Sequence, residues 1–328
     1  MKKRFFAVIT LLAMALFAGC KQSEPISEPT LNPPKLDLTS TPAENSFEVT
    51  PPFFKVENSD TGAVVYMLGS MHVGKPEATY SRELCDALDE CDTLAVEVDI
   101  QALQTDIMGA SDAMSLLLCP NGKTVRDYMG DDYDKIVKKF TEKGLYSPLY
   151  DRYVPALWSS LWSSQAAADC GYDANLGTDM LLLSYAKERG KNIDEIESAK
   201  EQYEVEAGCS EELQMLMLNQ TLELSQTEIQ EQFDALYNAW KSGDMNALKG
   251  LAAEEEEDSS MSEKLKADYR QYYDDMYTNR QKKMAEYVMS KLNEGGKTFV
   301  VVGAMHYAAP PSILDVLKEN GYTVETLS

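Results

Sequence analysis

Histidine is almost missing from this chain: 328 residues carry two, His72 and His306, so any imidazole chemistry rests on that pair. Basic side chains are also scarce, 30 against 54 acidic, for a net charge of -24. Such a surface repels phosphates along most of its area and excludes nucleic acid as a partner. Cysteine is limited to six, at spacings that match no zinc module. With Cys20 set apart, Cys85, Cys91, Cys119, Cys170 and Cys209 form an odd set, so they cannot all pair within the chain; buried thiols are the expectation for most of them. The apolar stretch Phe5 to Phe17 is too short to span a bilayer as a mature helix, and no heptad register lasts long enough for a coiled coil. What remains, with an apolar fraction of 44%, is ordinary globular composition and enough chain for a sizeable core.

The first twenty residues read as a targeting segment. Lys2, Lys3 and Arg4 precede the apolar stretch, and Ala18 and Gly19 precede Cys20. The run LFAGC resembles a bacterial lipoprotein signal, with Phe17 where leucine is usual. The resemblance implies that residues 1–19 are removed and that Cys20 is lipidated, tying the protein to a membrane surface by acyl chains alone. The stretch to Pro52 is rich in Pro, Ser, Thr and Glu, the composition of a solvated tether. The expected organisation is a signal at 1–19, a lipid anchor and tether at 20–52, and a globular part at 53–328, outside the cytoplasm.

The globular part is bracketed by two near copies of one unit. AVVYMLGSMHVG lies near its start and TFVVVGAMHY near its end, each a β-branched strand closed by Gly-x-Met-His. Continuous apolar runs of this kind suit strands buried on both faces of a parallel sheet. Gly69 and Gly303 would let the backbone leave the strand in a conformation closed to other residues, and leave room for a ligand or a neighbouring chain. His72 and His306 then emerge beyond the carboxyl ends of their strands, where open α/β sheets place ligands. If the strands are neighbours, the imidazoles converge. The expected fold is α/β, with α+β as the alternative: a central parallel or mixed sheet in which the two units meet at one site, plus a large helical insertion at about 205–292.

Phe53 to Asn58 and the strand of the first copy, Ala63 to Leu68, read as a hairpin; between the copies, about Ser81 to Glu90 reads as a helix and Thr93 to Val98 as a buried strand. Glu97 interrupts that strand; it serves either as partner to an arginine or as an acid, base or ligand beside the histidines. Asp179 falls in the first turn of a helix, where capping suffices to explain a carboxylate. Glu254 to Asp258 reads as a solvated acidic run.

In order along the chain, Gly69-Ser-Met-His72, Glu97, Gly177-Thr178-Asp179, Glu197, a helix carrying Arg280, and Gly303-Ala-Met-His306 resemble the TraB/GumN group, which includes the Tiki proteases. Gln281 stands where that pattern has asparagine, and Met71 and Met305 before the histidines are departures that would soften the rim. The resemblance implies one site containing both G-x-x-H motifs. Some members look like metal-dependent peptidases, others are linked to shutting off peptide pheromone signals, and distant relatives resemble erythromycin esterases or haem-binding lipoproteins. The expected chemistry is hydrolysis of a peptide or another small substrate. His72, Glu97 and His306 would hold Zn, Mn, Co or Fe, Glu197 or Asp179 would act as general base, and Arg280 would stabilise the oxyanion. Gly69, Gly303, Tyr307 and Gln281 are the candidate substrate-contacting positions. A metal-free histidine hydrolase and a non-catalytic haem- or peptide-binding protein are the alternatives.

Overall fold

The computed structural model describes residues 46–253 and 261–328. Cys20, the signal segment, the tether up to residue 45 and the acidic run Glu254 to Asp258 lie outside the described residues.

The valine-rich runs form the strands that their composition dictates. The six-stranded sheet has the order β6 (Asn192–Glu195), β5 (Thr93–Val96), β7 (Lys297–Gly303), β3 (Ala63–Ser70), β2 (Phe53–Asn58), β8 (Val324–Thr326). Four strands, β6, β5, β7 and β3, run parallel, while β2 pairs antiparallel with β3 through the expected hairpin and β8 closes the edge. The two strand-Gly-x-Met-His units are direct neighbours in register, Gly69 opposite Val302 and Ser70 opposite Gly303. The carboxyl ends of all four parallel strands therefore lie along one edge.

Alternation along the strands fills both faces. On one face Leu68, Leu94, Val96, Phe299 and Val301 pack against helices Arg82–Glu90, Thr178–Glu188 and Gln226–Lys241. On the other, Val65, Met67, Ala95, Val300 and Val302 meet helix Asn279–Glu294 through Met284, Ala285, Val288 and Leu292, and helix Ile313–Glu319 through Ile313 and Leu317. The result is an α/β sandwich of three layers. Two helical excursions extend it. Residues between β5 and β6 build one, and the second runs from Ala199 to Glu294. That second run exceeds the expected 205–292, and its last helix is part of the sheet's own cover.

Two features differ from expectation. Phe47–Val49 forms a strand parallel to Ala78–Tyr80, with Val49 fully buried, so the fold begins before Phe53. Neither Gly69 nor Gly303 has a positive φ. Close approach explains Gly69 instead: a Cβ there would lie 3.1 Å from Ala304 and 3.3 Å from Pro52. Its carbonyl accepts the Trp240 indole N–H at 2.8 Å. All five cysteines among the described residues are free. No helix among those residues is long and apolar enough to cross a membrane.

The loop after β3 is pinned to the start of the Thr178–Glu188 helix. Gly74 and Asp173 exchange backbone hydrogen bonds of 2.9 and 3.0 Å, and the Thr178 N–H donates to the Met71 carbonyl at 2.8 Å. Gly177 permits this contact, because a Cβ there would stand 2.5 Å from the His72 carbonyl oxygen. Gly177→Ala is expected to destabilise the fold by about 1–3 kcal/mol through forced separation of these backbones. Urea denaturation should show a lower midpoint with an unchanged slope.

Candidate active site

Four of the functional side chains come from strand ends. His72 follows β3, Glu97 follows β5, Glu197 follows β6 and His306 follows β7, on a short helix, Met305–Ala308. Gly303 is the floor on which three of them meet. A Cβ at that position would lie 3.4 Å from Glu97 Oε1, 3.7 Å from His72 Nε2 and 3.7 Å from His306 Cδ2, in ordinary contact with all three side chains.

The two imidazoles are held differently. Asp179 accepts from His72 Nδ1 at 2.7 Å, which leaves Nε2 as the nitrogen beside Gly303. His306 is 5% exposed, and its Nδ1 has no hydrogen-bond partner. Its Nε2 lies 3.8 Å from Glu97 Oε1, beyond hydrogen-bonding range. Burial opposes the charge on His72, but the Asp179 carboxylate outweighs it and raises the pKa to about 9. For His306, burial and the Arg280 guanidinium act together and lower it to about 3, against the pull of Glu97. Near neutral pH the metal-free pair is one imidazolium beside one neutral imidazole.

Arg280 is the hub of the carboxylates. Its Nε donates to Glu197 Oε1 at 2.8 Å, and Nη2 donates to Glu197 Oε2 at 2.7 Å and to Glu97 Oε2 at 2.6 Å. Glu97 Oε1 accepts the Gly303 N–H at 2.6 Å. Gln202 donates to both carboxylates at 3.1 Å. Burial works against the charge of Glu97, yet Arg280, the histidines and the Gly303 amide hold its carboxyl far below the usual range, at about 2.

The expected residues thus divide into two groups. His72, Glu97, Asp179, Glu197, Arg280, His306 and Gly303 come together. Asp179 does not cap its helix, as local reasoning favoured; its carboxylate is the partner of His72. Three residues expected to contact substrate are buried in the fold. Tyr307 is fully buried against Phe54, with ring centroids 5.3 Å apart. Gln281 is fully buried and donates to the Ala309 carbonyl at 3.2 Å, anchoring the end of the His306 helix. Gly69 is packed against Ala304. Met71, expected at the rim, is 3% exposed in the core.

Sequence reasoning missed Gln202, Tyr80 and Tyr277. Tyr80 and the Met71 N–H both meet the Thr178 hydroxyl, at 3.0 and 3.3 Å, fixing the loop that bears His72. The Ser198-x-x-Glu201 capping box was a signal for the helix that turns Gln202 inward. Tyr277, one turn before Arg280, packs its ring 5.8 Å from that of His306.

The donors suit a divalent ion in kind: two imidazole nitrogens and a carboxylate oxygen around Gly303, with one histidine oriented by a second carboxylate. In spacing they are open. No group of three or more His, Cys, Asp or Glu side chains among the described residues stands ready to hold a metal.

Two measurements follow from these charges. With two histidines in the chain, ring NMR of metal-free protein should show one imidazole titrating near pH 9 and one still neutral down to about pH 3, assigned with His72→Gln. Arg280→Met leaves two buried carboxylates without their cation and is expected to cost about 3–5 kcal/mol at neutral pH. The lowered pKa of Glu97 gives the wild type a contribution that is full above about pH 4.5 and lost as pH falls towards about 2. In Arg280→Met that dependence reverses, and the denaturation midpoint should rise as the medium is acidified through the carboxylate range.

The TraB/PrgY/gumN family model matches residues 52–326, the span that holds every residue of this site. No curated protein and no solved structure matches the chain. The match covers most of the chain, and the chain belongs to the TraB/PrgY/gumN family.

Proposed function

We propose that this protein is a hydrolase of peptide or related acyl bonds, acting outside the membrane as a lipoprotein anchored at Cys20. The observation that carries the reading is His306: a 5% exposed imidazole with no hydrogen bond to either nitrogen, set beside His72 around Gly303. A buried ring nitrogen without a partner, here Nδ1, sacrifices stability, and such groups gather where a reacting group will supply the missing contact. The localisation rests on the N-terminal segment, with its basic start and LFAGC run.

Asp179 fixes the tautomer of His72 and steadies its charge when a proton is taken up. Neutral His306 is the imidazole able to take up a proton from water, although burial and Arg280 make it a weak base, and imidazolium His72 can return one to a leaving group. Arg280 holds Glu97 and Glu197 in place, and with the histidines and the Gly303 amide it keeps Glu97 charged near neutral pH. If a divalent ion is resident, His72, His306 and Glu97 are the residues that would hold it; it would acidify a bound water and polarise the scissile carbonyl.

A metal-independent reading has its own support. Both Glu97 oxygens are already engaged, by Gly303 on one side and by Arg280 and Gln202 on the other. Elemental analysis and peptide hydrolysis, measured together before and after exhaustive chelation, separate the two. One metal per chain in the wild type, absent from His72→Ala and His306→Ala, with turnover lost on chelation, is the outcome for a metallohydrolase. Turnover that survives in metal-free protein and falls at least about 10²-fold in His306→Ala is the outcome for imidazole catalysis. Peptide turnover equal in wild type and His306→Ala would end the hydrolase reading.

A further inference from the structure

The hydrolase reading leaves one role without an occupant, the donor that stabilises negative charge on the attacked carbonyl oxygen. Arg280, the candidate from sequence, is committed. Its Nε and Nη2 are spent on Glu97 and Glu197, and its Nη1 lies against Met276, 3.5 Å from the carbonyl oxygen and 3.4 Å from the sulfur. The strand-end amides are committed as well. The Gly303 N–H donates to Glu97 at 2.6 Å and the Ala304 N–H to the Ser70 carbonyl at 2.9 Å.

Tyr277 remains. It is 7% exposed, its ring lies 5.8 Å from that of His306 at an angle of 57°, and its hydroxyl makes no hydrogen bond. Unlike the hydroxyls of Tyr237 and Tyr307, that of Tyr277 is not wholly shut off from solvent, so it is open to a partner from outside the chain. Its place in the backbone is also unusual. Asp274–Thr278 is a π-helical turn set between two α-helical stretches, a local widening that recurs at functional sites. It directly precedes Arg280, so a single distortion places both the guanidinium that clamps the carboxylates and the phenol that packs on His306.

We propose that the Tyr277 hydroxyl donates the hydrogen bond to the carbonyl oxygen of the scissile bond, an assignment that rests on the hydrolase reading above. As the water oxygen adds to the carbonyl carbon, the π pair moves onto the carbonyl oxygen, which accepts the O–H of Tyr277; the phenol keeps its proton throughout. The water's proton passes to an imidazole and then to the departing amine as the carbon–nitrogen bond breaks. A donor aimed at this charge acts on the transition state rather than on substrate binding.

The test compares the wild type, Tyr277→Phe and His306→Ala on labelled casein and on p-nitrophenyl acetate. Phenylalanine keeps the ring against His306, so an unchanged urea midpoint and unchanged His306 ring NMR signals accompany the expected result: kcat lower by about 10²–10³-fold, with KM nearly constant. An unaltered kcat, or a change confined to KM, alongside turnover that depends on His306, overturns the assignment and leaves the hydrolase reading standing. Turnover of neither probe that depends on His306 overturns the hydrolase reading itself, and the role of Tyr277 falls with it.

Discussion

Glu97 and Glu197 leave the ends of adjacent parallel strands, β5 and β6, and both enter the interior, 7% and 5% exposed. Two carboxylates so placed would repel each other and lose their hydration, were it not for one guanidinium shared between them. Arg280 spans them with planar, forked N–H groups, a geometry that a lysine could not reproduce. Charge pairs of this kind contribute little net stability against apolar replacements, but removing one partner is severe. The arrangement is better understood as a device that fixes two charges in place beside the histidines. The low pKa of Glu97 is a product of it, and the guanidinium adds to the burial that lowers the pKa of His306.

The sheet makes this device possible. Four parallel strands in register end along one line, so residues one to three positions beyond each strand arrive side by side, although they are far apart in the chain. Valine-rich strands bury both faces and leave the carboxyl edge as the natural place for polar groups. Backbone close approaches complete the positioning: Gly69 against Ala304, Gly177 against His72, and Gly303 beneath the cluster. For Gly69 and Gly177 the glycine is favoured by space rather than by φ. That is a different constraint from the one suggested by a glycine at the end of a strand.

Much of this was legible beforehand. Uninterrupted Val and Ile runs announce buried strands, and a repeat that places both histidines at equivalent strand ends announces a common site if the strands are adjacent. Other positions were opaque for identifiable reasons. Asp179 in a first helical turn looks like any capping acid, and what singles it out is His72, 107 residues earlier in the chain. Tyr307 follows His306 directly, yet on a one-turn helix neighbouring side chains diverge, and the phenol falls on the core side against Phe54. Gln281 and Arg280 are also neighbours with different fates, one buried beneath Ala309 and the other turned to the carboxylates.

By itself, the amino-acid order determined the strands, the amphipathic helices, the two G-x-x-H units and the acidic balance, because each is a short-range pattern set by periodicity, side-chain volume and charge. Only the tertiary structure decided which strands are neighbours, that Asp179 serves His72, and that Arg280 is consumed by Glu97, 183 residues away, and by Glu197. The physical reason is that burial and pairing of charge depend on distances set by packing, and local sequence does not encode contacts between side chains separated by a hundred residues or more.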